Sequence, residues 1–218
     1  MAKSSGENPY HHGDLRQSLI DAALALIAEK RDASTLSLRE VARRVGVSHA
    51  APYRHFPDKD TLLAAVAEEG FHILTRCLQG GVDKTPDDPL RELQASGVAY
   101  IKFARSHPSH YRVMFSAFQP GNNNSAYPSL NTAAQAAFAV LLDAIANGQA
   151  IGKIKGGDAH HLAWVTWSLV HGLAMLLIEQ QLPIVDEQDV VALSELATRS
   201  LIHGIRPDEK SAPTIPNL

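Results

Sequence analysis

This 218-residue sequence is short of several things, and each shortage closes a line of interpretation. It holds one cysteine, Cys77, so no internal disulfide framework exists, and a lone thiol suits a reducing cytoplasm. No glycine-rich phosphate loop, nucleophile elbow or pair of cysteine ligands occurs, so no enzymatic chemistry, bound cofactor or metal is expected. No stretch alternates apolar and polar residues as a half-buried strand would, and no internal repeat is evident. The longest apolar run, Leu162 to Ile178, has 17 residues, fewer than the roughly 20 that cross a bilayer. Thr166, Ser168 and His171 interrupt its middle, so a membrane span is not expected. The first ten residues have no apolar core, so no secretory leader is expected either.

Strong net charge is also missing. The formal charge is −3, which excludes a globally basic nucleic-acid coat, but the distribution is uneven. Residues 1–60 carry +1 and the remainder −4, and the basic residues of the first part gather between Arg39 and Lys59.

What is present is helical periodicity. Leu38, Val41, Ala42 and Val45 form a one-faced apolar stripe, opposite Arg39, Arg43 and Arg44. Ser37 is placed to cap this helix, and Gly46 follows it where a left-handed residue is needed. Ser48 is placed to cap a second short helix, with Val47 and Pro52 as its staple and Phe56 one turn further on. Two helices joined by a tight turn make a helix-turn-helix over residues 37–56. The outer side of the second helix carries His49, Ala50, Tyr53, Arg54 and His55, a set suited to phosphates and base edges. Without that outer set, the same stretch would read as two packed surface helices.

Residues 47–63, Val-Ser-His-Ala-Ala-Pro-Tyr-Arg-His-Phe-Pro-Asp-Lys-Asp-Thr-Leu-Leu, resemble the signature of the TetR family of bacterial transcriptional regulators. The resemblance runs from Gly13 to Phe71, with Pro52 standing where leucine is commoner. It implies that Ser48, Tyr53, His55 and Lys59 hold phosphates and that His49, Ala50 and Arg54 face bases. Ser37 and Arg44 complete the expected DNA-contacting set.

The expected organisation is all-α: a flexible arm over residues 1–12, a three-helix DNA-binding domain over 13–71, a helical ligand-binding and dimerisation domain over 72–206, and a disordered tail over 207–218. The first helix is marked by Leu15, Leu19, Ala22, Ala23, Leu26 and Ile27. A long helix from Lys59 to Gln79 links the two domains, and glycines and prolines between Gly80 and Pro89 mark a joint. Further helices are expected over 89–106, 126–147, 158–181 and up to Gly204, with Gly148 ending the second of these.

The run Leu162–Ile178 is apolar nearly all round, as in a helix covered by its own domain and by a second copy of the chain. The TetR resemblance likewise implies a homodimer that presents two reading heads to a double-stranded DNA operator. Trp-Ser-Leu-Val-His-Gly, residues 167–172, resembles the Trp-His-Gly signature of one TetR subgroup. Gly172 is expected to let a neighbouring helix approach. Trp164, Trp167, His171 and Met175 recur about one turn apart, and with Phe103, Tyr111, Met114, Phe115 and Phe118 they are the expected lining of a pocket for a small-molecule effector. The alternative is plain core packing. The eleven histidines also raise a metal-sensing alternative through His107 and His110, or His160 and His161, though neither pair has an evident third ligand.

Overall fold

The computed structural model describes residues 15–83, 88–117, 126–184 and 186–206, so the N-terminal arm with His11 and His12, Phe118 and the tail from 207 lie outside the described residues. Eight α-helices run α1 Leu15–Lys30, α2 Leu38–Val45, α3 Lys59–Val82, α4 Pro89–Ser106, α5 Pro108–Arg112, α6 Pro128–Ala150, α7 Ala159–Ile178 and α8 Glu187–Ile205. No strand occurs among the described residues.

Local chemistry sets the boundaries. Ser37 Oγ accepts from Glu40 N at the start of α2. At its end Gly46 adopts φ +82°, while Gly46 N–H reaches Arg43 O and Val47 N–H reaches Ala42 O, the two bonds of a Schellman cap. Asp58 caps α3 by accepting from Thr61 N and Thr61 Oγ1. Its carboxyl is held below the usual aspartate range chiefly by the Thr61 backbone bond.

α1, α2 and the turn after α2 form a small bundle, closed by Leu19, Ile27, Val41, Phe56 and Leu62. α3 leaves this bundle and packs along α4 and α6, so one continuous core passes from α1 through α3 to α7. A smaller core of Leu93, Ile145, Ile154, Leu162 and Ile205 closes the far end.

Two boundaries differ from expectation. α3 runs through Gly80 and Gly81 to Val82, since Gly81 is buried against the Ala95 backbone of α4. α6 continues past Gly148 to Ala150, and the chain turns afterwards, at Gly152 with φ +71°. The loop then bonds to the end of α8: Lys155 N donates to Ile205 O at 2.9 Å and Lys155 Nζ to Gly204 O at 3.3 Å. Gln149 Nε2 holds the same loop through Lys155 O.

Within a single chain α7 is covered on one side only. Within one chain Trp164 is 51 % exposed and Val165 59 %, and Leu169, Met175 and Leu176 are exposed as well. Leu196 of α8 is exposed too, and a side chain at Gly172 would meet nothing within 4 Å. By length and apolarity alone α6 and α7 could each cross a membrane, but in this fold both are packed into the bundle.

Candidate nucleic-acid interface and effector cavity

The segment after α2 is not the short α-helix the spacing suggests. It is a chain of tight turns with one 3-10 turn at Pro52–Arg54. Proline has no N–H to offer the Ser48 carbonyl, so Ala51 N takes it at 3.0 Å. Arg54 N then bonds Ala51 O, and His55 N bonds Pro52 O. No side chain caps this turn, so Ser48 contributes its carbonyl rather than its hydroxyl. Pro52 and Phe56 are buried beneath it, and Arg16 of α1 lies 5.5 Å over the Phe56 ring. Ser48, His49, Ala50, Tyr53, Arg54 and His55 consequently stand outward, with Tyr53 half exposed.

Two cations assigned to DNA from the sequence have partners within the protein. Arg44 makes a bidentate pair with Glu29 of α1, with Nη1 to Oε2 at 2.9 Å and Nη2 to Oε1 at 2.7 Å. That fork is occupied by Glu29 here, so Arg44 braces α1 against α2. Lys59 Nζ donates to Ser34 O at 3.1 Å, which places its charge beside the first turn of α3. Ser37 is committed to its cap. Arg39 and Arg54 are exposed and carry no ion pair among the described residues.

Further along α3 lies a cavity of about 470 Å³. α3 gives it Phe71, Leu74 and Leu78, and α4 gives Leu93, Ser96, Gly97 and Tyr100. α6 contributes Phe138, Leu141 and Leu142, α7 contributes Trp164, Thr166, Trp167 and Val170, and α8 contributes Thr198, Leu201 and Ile202. Phe115 closes one side. Of the residues expected at a pocket, Phe115, Trp164 and Trp167 are therefore on the wall.

Phe118 lies outside the described residues, and the other described ones are elsewhere. Phe103 is buried and stacks on His107, Met114 is buried against Gly70, and Met175 points to solvent. Tyr111 and His171 sit behind the wall in a polar cluster that spacing did not reveal, because its centre, Tyr100, is on a different helix. Trp167 Nε1 donates to Tyr100 Oη at 3.2 Å. Tyr100 Oη lies 2.9 Å and Tyr111 Oη 2.7 Å from His171 Nδ1, and the two hydroxyls are 3.2 Å apart. Burial pushes the Tyr100 phenol up to about 12 and the Tyr111 phenol higher still, and it pulls His171 below its ordinary value. The cluster is neutral and donates inward.

The histidine pairs raised as metal sites are engaged otherwise. His110 is 7 % exposed, with Nε2 3.5 Å from Glu69 Oε1, and His160 Nδ1 is 3.8 Å from Asp158. No group of three or more His, Cys, Asp or Glu positioned to hold a metal occurs among the described residues.

A small helical head with an outward-facing basic turn on a buried base, joined by one long helix to a helical body with an apolar cavity, is the architecture of a DNA-binding regulator. Comparison with known proteins agrees. Residues 19–66 match the family described as bacterial regulatory proteins, tetR family, and residues 93–205 match the tetracyclin repressor-like C-terminal domain. The chain belongs to the TetR family of transcriptional regulators, which are DNA-binding proteins rather than enzymes.

Among solved structures it is similar to a Rhodococcus sp. RHA1 protein of unknown function, at 34 % identity over 92 % of this chain and 100 % of that one, with a TM-score of 0.76. A tetR family regulatory protein from Rhodococcus RHA1 shares the fold at 19 % identity, covering 88 % of this chain and 98 % of that one, TM-score 0.70. So does Bacillus subtilis FadR, solved with stearoyl-CoA, at 19 % identity over 87 % of this chain and 99 % of that one, TM-score 0.71.

Proposed function

We propose that this regulator is a cytoplasmic homodimeric repressor of the Trp-His-Gly subgroup, released from a near-palindromic operator by a small, largely apolar effector, with no role at a membrane. Residues 13–71 serve as its DNA-reading domain and 72–206 as its effector-binding and dimerisation domain. The observation that carries this reading is the continuity of α3. Its first residue, Lys59, stands beside the exposed Tyr53-Arg54-His55 turn, and Phe71, Leu74 and Leu78 of the same helix form a cavity wall. A molecule wedged against that wall favours one placement of α3 over another, and the operator favours the other, so each ligand weakens the other.

The exposed apolar face of α7 with Leu196 supports pairing, since a patch of Trp, Val, Leu and Met on a monomer marks an interaction surface. In the pair, the two reading heads fall about 34 Å apart, one turn of duplex. In this reading Ser48, Tyr53, His55 and Lys59 hold phosphates, while His49, Ala50 and Arg54 face bases.

The test is selection of duplexes from a random library, followed by fluorescence anisotropy on the winners. A twofold-symmetric site is expected, and Tyr53→Phe should weaken binding to every sequence by a similar factor. Recovery of no sequence above background at physiological salt would refute the proposal.

A further inference from the structure

The wall of the cavity is unusual in what its polar atoms have already spent. Among its described lining residues there is no Asp, Glu, Lys or Arg, and residues 118–125, which follow Phe115 in the chain, contain none in sequence. The buried hydroxyls donate their protons to their own helices: Ser96 to Leu93 O at 2.9 Å, Thr166 to Leu162 O at 2.8 Å, and Thr198 to Ser194 O at 2.8 Å. The Trp167 N–H is taken by Tyr100 Oη, and the Tyr100 hydroxyl faces Tyr111 and His171.

Even the start of α7 is closed to an anion, because the Asp158 carboxylate already accepts from His160 N and His161 N. Each hydroxyl keeps a lone pair, so the buried wall presents acceptors without donors. Gln135, His160 and Trp164 are exposed lining residues, on the solvent side.

From this we propose that the effector is an uncharged apolar molecule whose polar group is a hydrogen-bond donor, such as a long-chain or aromatic alcohol, and that carboxylates and anionic conjugates are rejected. The proposal rests on reading the cavity as the effector site. An ionised carboxylate entering its buried part, past the exposed Gln135, His160 and Trp164, would lose its water and meet only further acceptors, an unpaired charge in an apolar wall. A hydroxyl of the same chain length delivers one proton to Ser96, Thr166 or Thr198 and buries the rest of its surface against Phe71, Phe138 and Ile202.

The test uses the full-length protein and matched probes: the alcohols from octanol to dodecanol, the carboxylates of the same lengths at pH 7.5, and the methyl ether of decanol. Binding is read from the emission of Trp164 and Trp167 on the wall, and operator release from anisotropy. At least one alcohol is expected to bind about tenfold or more tighter than its carboxylate, with the ether in between. Gln135→Arg, at an exposed lining position, should raise carboxylate affinity relative to that of the alcohol of the same length.

A carboxylate binding as tightly as its alcohol overturns the charge rule while leaving the cavity as the effector site. An ether equal to decanol overturns the donor requirement. Absence of any emission change with every probe overturns the cavity reading itself, and alcohol binding without operator release overturns its regulatory role alone.

Discussion

Gly70 lies in the part of α3 that carries α5, and a methyl group there has no room. A Cβ would stand 2.5 Å from Met114 Sδ, 3.0 Å from Met114 Cγ and 3.2 Å from His110 Cβ. Two effects oppose each other in Gly70→Ala. Alanine inside a helix is favoured over glycine by about 0.8–1 kcal/mol. Overpacking a filled core costs about 1–3 kcal/mol. This core is filled: Met114 is 1 % exposed and His110 7 %, so the thioether cannot swing into solvent. Overpacking wins, leaving a net loss of up to about 2 kcal/mol. In a chain of this size that lowers the thermal midpoint by up to about 8 °C.

The assay is a thermal melt by circular dichroism on Gly70→Ala, Met114→Ala and the double variant. Met114→Ala alone should cost about 2–5 kcal/mol. In the double variant the new methyl fills part of the hole, so the two losses should add to less than their sum by about 0.5–3 kcal/mol. A Gly70→Ala protein more stable than the parent, with additive effects in the double variant, would refute the packing argument.

Three further outcomes follow from the geometry. Lys59→Ala, at a residue assigned to a phosphate, should flatten the dependence of operator affinity on salt by about 0.9 in logarithmic slope, whereas Arg44→Ala, whose charge is already paired with Glu29, should change it less. Equal slope changes would remove the distinction. His110 is held below its ordinary 6.5 chiefly by burial, against the opposing fields of Glu69 on α3 and Asp21 on α1, with His107 adding to the depression. The folded state thus binds its proton less readily than the unfolded chain, so this contribution is complete above about pH 6.5 and is lost as pH falls below it. Chemical denaturation from pH 7.5 to 5.5 should show that loss, and it should shrink in His110→Gln. Leu169→Arg together with Leu196→Glu, on exposed positions, should leave the melt of each chain near the parent and yield monomers in sedimentation; a dimer surviving both would move the interface elsewhere.

The reading head was legible in the sequence because its signals are local. Ser37, Gly46 and the apolar stripe between them act within three or four residues of one another, and each does in the fold what its spacing suggests. Pro52 shows the limit: the spacing around it suggests a second short helix, yet its missing N–H diverts the segment into tight turns. The pairing of Arg44 was not legible, because its partner, Glu29, lies on another helix, where no periodicity connects them. The cavity was legible only in part. Trp164 and Trp167 lie on the helix whose pattern drew notice, but Phe138, Thr198 and Ile202 come from α6 and α8 and become neighbours only through packing. Tyr100 went unnoticed for the same reason, although three polar side chains converge on it.

The loop between α6 and α7 is buckled to the last turn of α8 through Lys155, Ile205 and Gly204. That fastening links the ends of three of the cavity's walls. On the proposed reading, a guest that parts α3 from this side of the bundle works against a clasp at one end of the molecule and moves the reading head at the other.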